Sequence, residues 1–358
     1  MEKRISFCTV AMDRLCHIKE TLPKNLADNR QYQNKEFVLL DYSSRDGLSD
    51  WVRSNLMSYI ERGTLKYFRT EGKDRFYRSH AKNMAAKCAS GEIICNIDAD
   101  NYTGKEFAFY VNSKFSAPSV FLMARENGKP DISGRICVSR EDFDLSKGYD
   151  EDMNGYGWED VDFCNRLTLL NRTAVRIQGA EYLCYIVHSD EARMRNHYKP
   201  NGDRVFVSFI DPSKSDFLLL FSDGRFKKLT IVDNYSIGSS KPSNVFQNFQ
   251  PQYRYTVRGV VEGGRWTREG SSLLLHHAGG ASLLGIIMHS QIAIEGQAAK
   301  PFNEIKGEGF ASRVFKFIDE KINLQRLRSN TETIAEVNVR GCGKGKVTKN
   351  FLEEFTIF

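Results

Sequence analysis

The sequence predicts an α/β protein: a mostly parallel, doubly wound sheet over residues 1–211, followed by a smaller β-rich domain over residues 212–358. Three observations carry this. Short apolar runs alternate with segments of helical spacing through the first third of the chain, the pattern of strand–helix–strand units. Polar residues (Thr9, Asp41, Asp98, Asp100) fall where those runs end, and in doubly wound sheets ligands gather at the carboxyl ends of strands. After Asp211-Pro212 the pattern changes to closely spaced strand signals joined by glycine-containing turns.

Element by element, "RISFCTVAM" is a short buried strand. "RLCHIKETLPKNLADN" follows with helical spacing at Leu15, Ile18, Leu22 and Leu26, and Pro23 is expected to kink or restart it. "EFVLLDYSS" is a second strand ending in a turn at Asp41 to Ser44, and "GLSDWVRSNLMSYIERG" a second helix closed by Gly63. "LKYFRT" is a third strand. Ser79 is expected to cap a helix through "HAKNMAAKCASG", before "EIICNIDAD" forms a fourth strand. Beyond residue 212, strands are expected on either side of Ser222-Asp223-Gly224 and of Gly263-Gly264, and further ones at "ASLLGIIMHS" and "ETIAEVNVRG". One amphipathic helix is expected over Ala311 to Leu327.

Composition bounds the function classes. The 358 residues are 41% hydrophobic and 27% charged, ordinary for a globular protein and unlike a disordered or collagenous one. The net charge of +6 suits a phosphate-bearing ligand or an acidic surface, and equally a solvated excess of cations. The longest apolar run, near Leu283 to Met288, falls far short of the ~18 residues a membrane span needs, and the start of the chain reads as a strand rather than a secretory signal. The eight cysteines form no C-x-x-C pair, so an intracellular, reduced protein is expected.

Two segments carry chemistry. Asp98-Ala99-Asp100 ends an apolar strand, and carboxylates one residue apart share a side of an extended chain. Together they can hold a hard divalent cation and leave positions for two phosphates. D-x-D also occurs in exposed loops; its place after three strand–helix units favours the functional reading. In "GYDEDMNGYGWEDVDFCNRLTLLNR", Gly155 and Gly157 lead into a helix beginning near Trp158, with Val161, Cys164, Leu167 and Leu170 expected as its buried face. Glu159 and Asp160 occupy its first turn, where the helix dipole favours carboxylates; one of them could accept the proton of an attacking hydroxyl. Trp158 offers a face for a sugar ring. His188 follows another apolar run and is either structural or a third metal ligand. Arg78, His80, Lys82 and Asn83 lie at a helix start, a natural phosphate or ribose site or a solvated basic face.

These segments, "LLDYSSRDG", "RSHAKNMAAKCASGEIICNIDADN", "GYGWEDVDFCNRL" and "VHSD", recur in the order and at separations that resemble GT-A fold glycosyltransferases, in particular family 2-like enzymes with a galactosyltransferase-type C-terminal motif. The resemblance covers residues 1–205 and leaves residues 212–358 unmatched. It implies a Rossmann-like, nucleotide-sugar-binding domain, with Asp98 and Asp100 binding Mn²⁺ (or Mg²⁺) and the donor's diphosphate, and His188 completing the metal site. It implies Asp160 as catalytic base and Glu159 holding the acceptor, with Thr9, Asp41, Arg78 and Asn83 contacting the nucleoside. The galactosyltransferase motif usually separates its tryptophan and glutamate by two small residues, whereas Trp158 here abuts Glu159.

The function expected is inverting transfer of a hexose or N-acetylhexosamine from a UDP-sugar to a glycan or lipid-linked glycan acceptor, in bacterial surface polysaccharide synthesis. The cytoplasm is the expected location, with peripheral contact at the inner face of the membrane left open and no nucleic-acid partner. Two alternatives stand beside it. One is a non-catalytic carbohydrate-binding protein. The other is a sugar nucleotidyltransferase, which would carry a glycine-rich basic loop where "AMDRLCHIKE" stands.

Overall fold

The computed structural model describes residues 2–124, 132–187, 189–199, 202–234, 255–295 and 300–358. The chain forms two compact units, Met1–Ser189 together with Ser329–Phe358, and Asp190–Arg328. The position expected for the boundary, Asp211-Pro212, lies in the turn of a hairpin inside the second unit.

The first unit begins with β1 (Ile5–Ala11), α1 (Leu15–Asp28), β2 (Lys35–Tyr42), α2 (Leu48–Asn55), α3 (Met57–Glu61), β3 (Leu65–Thr70), α4 (Arg78–Cys88) and β4 (Ile93–Asn96). It continues through α5 (Phe107–Lys114), β5 (Val120–Met123), β6 (Ile136–Ser139), α6 (Arg140–Leu145), α7 (Glu159–Leu169) and β7 (Thr173–Arg176). β1 pairs in parallel with both β2 and β4, and β2 with β3. β1, β2 and β4 are largely apolar because helices cover both faces; every residue of β1 is buried. Their core joins Phe7, Phe37 and Phe107, with Phe7 and Phe37 ring centroids 4.9 Å apart. Chain order along the sheet reverses between β1 and β4, which makes the carboxyl ends of β1, β2 and β4 the crevice.

Local expectations are corrected at four places. α1 runs continuously through Pro23, its inner face anchored on both sides by buried Ile18, Leu22 and Leu26. The second helix is broken at Leu56 into α2 and α3. α4 starts at Arg78, after an extended Tyr77, and takes no side-chain cap from Ser79. On α7 the buried set includes Asp162 and Arg166 beside Cys164 and Leu167, while Val161 and Leu170 are half-buried. The Arg166 guanidinium is neutralised by Asp162 at 2.8 Å and donates to the Ser146 and Gly148 carbonyls.

The second unit holds α8 (Asp190–Met194), β8 (Arg204–Asp211), β9 (Lys214–Leu220), β10 (Arg225–Asp233), β11 (Tyr255–Glu269), β12 (Ser272–His277), β13 (Ser282–Met288), β14 (Gln291–Ile294), β15 (Phe302–Glu304) and most of α9 (Glu308–Asn330). Its eight strands close into an antiparallel barrel, a closure that leaves no free sheet edge. Phe206, Leu218, Phe226, Leu273 and Phe302 fill it. The hairpin at Ser222-Asp223-Gly224 forms as expected, but Gly263-Gly264 is no turn: β11 passes straight through it. A side chain at Gly264 would put its Cβ 1.9 Å from the His276 carbonyl oxygen, so glycine there permits close approach between strands.

The chain then returns to the first unit. β16 (Gly345–Lys349) pairs antiparallel with β3, and β17 (Glu353–Ile357) with β16, extending the sheet to the order β17-β16-β3-β2-β1-β4-β6-β5-β7. The segment "ETIAEVNVRG", expected as a strand, is instead a series of turns. No helix of the described residues is long and apolar enough to cross a membrane.

Candidate active site at the carboxyl ends of the central strands

The polar residues expected at the strand ends lie along these carboxyl ends, and Asp41, Asp98 and Asp100 are each held by specific partners. Asp41, fully buried at the end of β2, accepts from the Ser44 amide (2.7 Å), the Tyr67 hydroxyl (2.6 Å) and Arg69 (2.5 Å). Its carboxylate therefore fixes the β2 turn. Thr9 lies buried near the end of β1, in register with Leu39.

After β4 the chain turns through Asp98-Ala99-Asp100. Asn96 donates to Asp98 Oδ1 at 3.0 Å, and Asn101 to Asp100 Oδ1 at 2.8 Å. Burial raises the pKa of Asp98; Lys82 opposes this and Asp100 adds to it. A Cβ at Gly134 would sit 2.1 Å from Asp98 Oδ2, so only glycine leaves room for this carboxylate. The turn is clamped from α1: Thr21 donates to the Ala99 carbonyl (2.7 Å), and Asn25 donates to the Asn101 carbonyl (3.0 Å). Arg135, wholly buried, donates to Asn101 Oδ1 and the Tyr102 carbonyl. Sequence reading missed Thr21, Asn25 and Arg135. The signal was there for the first two, polar residues four apart on the buried face of α1.

Opposite stands the start of α7. Trp158 adopts a left-handed conformation (φ 73°) after Gly155 and Gly157, both also at positive φ, and α7 begins with Glu159. Glu159 is buried against Arg78 (2.9 Å) and Lys82 (3.7 Å). Burial alone would raise its pKa, but the two cations hold it near 2. Asp160 accepts from Lys82 at 2.6 Å. Its pKa is pushed up to about 7, first by burial, which Lys82 counters and the charges of Glu159 and Asp98 reinforce. Lys82 is 3% exposed; burial works against its charge, and Asp160, Asp98 and Glu159 outweigh that. The ammonium also lies 4.9 Å from the Tyr149 ring centroid. Arg78 and Lys82 are thus committed to carboxylates rather than forming a solvated basic face.

Asn83 faces the neighbouring loop. It donates to the Tyr149 carbonyl (2.8 Å) and Glu151 (2.9 Å) and accepts from the Tyr149 amide (2.8 Å). The same loop is tied to the C-terminal segment, which sequence reading assigned elsewhere. Asn338 donates to the Lys147 and Tyr149 carbonyls, the Gly343 amide to Glu151, and Asn330 to Asp150 and Asp162. His80 links the Tyr42 hydroxyl (2.8 Å) to the Lys344 carbonyl (2.9 Å).

Asp98 and Asp100, carboxylates two residues apart on this turn, are the candidates for holding a hard cation. Among the described residues no three or more His, Cys, Asp or Glu side chains cluster as a metal site, and His188 lies outside the described residues.

The model of glycosyl transferase family 2 matches residues 6–176. No curated protein sequence matches the chain. Among solved structures, it is similar to the mannosyltransferase PcManGT of Pyrobaculum calidifontis, solved with GDP-mannose and Mn²⁺, at 18% identity and a TM-score of 0.44, over 55% of this chain and 61% of that one. Residues 1–349 of Staphylococcus aureus TarS give 18% identity and a TM-score of 0.40, over 54% and 63%. The catalytic domain of Drosophila β1,4-galactosyltransferase 7 gives 17% and 0.40, over 55% and 76%. The chain spans about three fifths of the first two relatives. The match to glycosyl transferase family 2 falls on residues 6–176, the segment that carries the doubly wound sheet and the strand-end carboxylates, and the first unit has a GT-A, Rossmann-like fold.

Proposed function

We propose that the first unit transfers a hexose or N-acetylhexosamine from a UDP-sugar to an acceptor hydroxyl, with inversion at the anomeric carbon and Asp160 as general base. The observation that carries this reading is the contrast between two adjacent carboxylates. The Glu159 side chain is 4% exposed and that of Asp160 is 20% exposed, while their pKa values are driven apart to about 2 and about 7. Titratable neighbours separated in this way mark an acid–base assignment. Glu159 anchors Arg78 and Lys82; Asp160 is open to an acceptor and poised near neutral pH.

In this reading the acceptor hydroxyl gives its proton to Asp160 as its oxygen bonds to the anomeric carbon. The bond from that carbon to the diphosphate oxygen breaks, and one displacement inverts the centre. Arg78 and Lys82 add fixed positive charge beside the reacting groups. The bonds that Asp41 and Asn83 already make support roles in shaping the donor site from behind, with Thr9, Arg78 and Trp158 nearer the donor. The donor set at Asp98 and Asp100, two carboxylates on one turn with Asp98 accommodated by Gly134, fits Mn²⁺ or Mg²⁺ completed by substrate phosphates. Such an ion would neutralise charge on the departing diphosphate. His188 as a third ligand, a glycan or lipid-linked acceptor, a place in bacterial surface polysaccharide synthesis, a cytoplasmic location, and an accessory role for the second unit in acceptor binding or assembly all belong to this proposal.

The test is release of nucleoside diphosphate from a panel of nucleotide-sugars, with Mn²⁺ and with EDTA, for the wild type and Asp160→Asn. Metal-dependent release that falls ~10²–10⁴-fold in the variant, with donor affinity retained, is the expected result. Near-normal turnover by Asp160→Asn removes the base assignment. Absence of both turnover and donor binding moves the chain to the non-catalytic alternative.

A further inference from the structure

The turn that carries Asp98 and Asp100 is pinned along its backbone. The Ile186 amide donates to the Asp100 carbonyl (2.8 Å), the Asn101 amide to the Asp98 carbonyl (2.9 Å), and the Asn25 side chain to the Asn101 carbonyl (3.0 Å). These bonds fix where the Asp100 side chain starts but not how its carboxylate is turned, because the terminal torsion of an aspartate is soft. Asn101 bears on that rotation: its Nδ2 donates to Asp100 Oδ1 at 2.8 Å. The Asn101 amide is itself oriented. It is fully buried, and its Oδ1 accepts from Arg135 Nη2 at 3.2 Å. A guanidinium only donates and an ionised carboxylate only accepts. Arg135 and Asp100 therefore dictate the same placement of the amide, oxygen toward the arginine and nitrogen toward the aspartate.

Arg135 is costly to keep there. It is fully buried, and its Nε and Nη1 have no hydrogen-bond partner among the described residues. Burial pushes its pKa down to about 10, against the pull of Cys137 and Asp98. A clamp on the Tyr102 carbonyl alone (2.7 Å) would be served by a neutral donor at lower cost. We propose that Arg135, acting through Asn101, is a positioning residue that holds the Asp100 carboxylate in the orientation that receives a divalent cation. The proposal rests on the reading of Asp98 and Asp100 as that cation's ligands. Charge and positioning act here with opposite signs. A buried guanidinium within electrostatic reach of Asp98 and Asp100 repels a second cation at the same turn, so by charge alone its removal tightens metal binding. By positioning, its removal weakens binding, as loss of a partner behind a metal ligand does by ~10–100-fold.

Mn²⁺ alone is titrated into the full chain, with the free ion read by its paramagnetic resonance signal and the fold of each variant checked by circular dichroism. Asp100→Asn tests the underlying reading. It should no longer bind Mn²⁺ measurably; wild-type affinity in this variant, or no Mn²⁺ binding by the wild type, removes the ligand reading and the proposal with it. Arg135→Met and Asn101→Asp each make the turn more negative by one charge. Asn101→Asp still accepts from Arg135 and loses the donor to Asp100. Both should nevertheless weaken Mn²⁺ binding by about tenfold or more. The double variant should lose no more than the larger single loss, since both changes break one chain of bonds. Mn²⁺ bound by Asn101→Asp as tightly as by the wild type, or more tightly, overturns the proposal, while loss in Asp100→Asn leaves the metal reading standing. This arm decides even where Arg135→Met does not fold. Additive losses in the double variant also overturn the proposal, because Arg135 then acts on the turn by another route.

Discussion

Replacing Lys82 by methionine keeps the length and apolar stem of the side chain and removes the charge closest to Asp160 (2.6 Å), which Glu159 (3.7 Å) also shares. Breaking a buried ion pair by removing one partner costs ~3–5 kcal/mol when the remaining charge cannot escape. Here it can escape by protonation. Arg78 still holds Glu159, so the burden falls on Asp160, whose pKa stands at about 7 with Lys82 present. Without the ammonium that pKa rises further. The direction follows from linkage: an acid whose folded pKa lies above its unfolded value loses stability as pH climbs between the two. At pH 5.5 Asp160 is protonated in both proteins and the variant should lose about 1 kcal/mol or less, mainly through Glu159 and Asp98. At pH 8.5 the variant must either carry an unpaired buried carboxylate or hold its proton, and the loss should grow to about 3 kcal/mol. Urea unfolding of the metal-free protein at both pH values, read by tryptophan fluorescence, measures the difference. A loss that is the same at both pH values, or absent, would refute the claim that Lys82 sets the charge state of Asp160. The acid limb of the pH–rate profile should move upward in the same variant.

Three further outcomes follow from the same structure. Glu36 is buried, and although burial favours its protonated form, Lys66 and the hydrogen bonds from Ser6 and Ser90 outweigh this and hold its pKa near 2. Because that value is below the unfolded one, the group stabilises the fold above about pH 4.5 and loses this as pH falls toward 2; after allowing for solvent around Arg4 and Lys66, about 2 kcal/mol is expected, absent in Glu36→Gln when thermal unfolding is followed from pH 6 to pH 2. Gly134→Ala sets a methyl group where Asp98 Oδ2 lies, and should weaken Mn²⁺ binding by roughly tenfold or more in a calorimetric titration while leaving the fold intact; unchanged affinity would take Asp98 out of the metal site. Phe351 stacks on Tyr67 at 4.7 Å with Arg53 4.5 Å from its ring centroid, so Phe351→Ala should cost about 2 kcal/mol and lower the melting temperature of the first unit by roughly 4–8 °C.

The strand ends of the first unit were legible because burial on both faces makes β1, β2 and β4 largely apolar as they approach the crevice, Ser6 and Glu36 lying at the opposite ends of β1 and β2. Asp41, Asp98 and Asp100 interrupt apolar runs, and that interruption is a local signal. The barrel was only half legible. Its hairpins have local turn residues, as at Asp223-Gly224, but a glycine pair inside a long strand gives the same signal as a turn. What separates them at Gly264 is the His276 carbonyl arriving from β12, and no local pattern records that approach. Likewise the β-branched residues between Thr333 and Arg340 satisfy a strand template, yet the segment's polar groups are spent on the loop from Lys147 to Glu151.

That last contact changes what the proposed catalytic module comprises. The loop before α7 and the first turn of α7 are fixed from sequence positions more than 150 residues away: Asn330 bridges Asp150 and Asp162, Asn338 holds Lys147 and Tyr149, and the Gly343 amide meets Glu151. A chain ending at residue 211 would strip the outer edge from β3, where β16 pairs. It would also take from buried Asp150 and Asp162 the hydrogen bonds donated by Asn330, each worth about 1.5–3 kcal/mol for a charged acceptor. Since the same loop receives Asn83 from the helix that carries Arg78 and Lys82, loosening it would reach the pair of cations that sets Glu159 and Asp160 apart. The family-matched segment, residues 6–176, holds all the strand-end carboxylates. Their positioning is completed only when the last thirty residues, Ser329–Phe358, have folded back onto it.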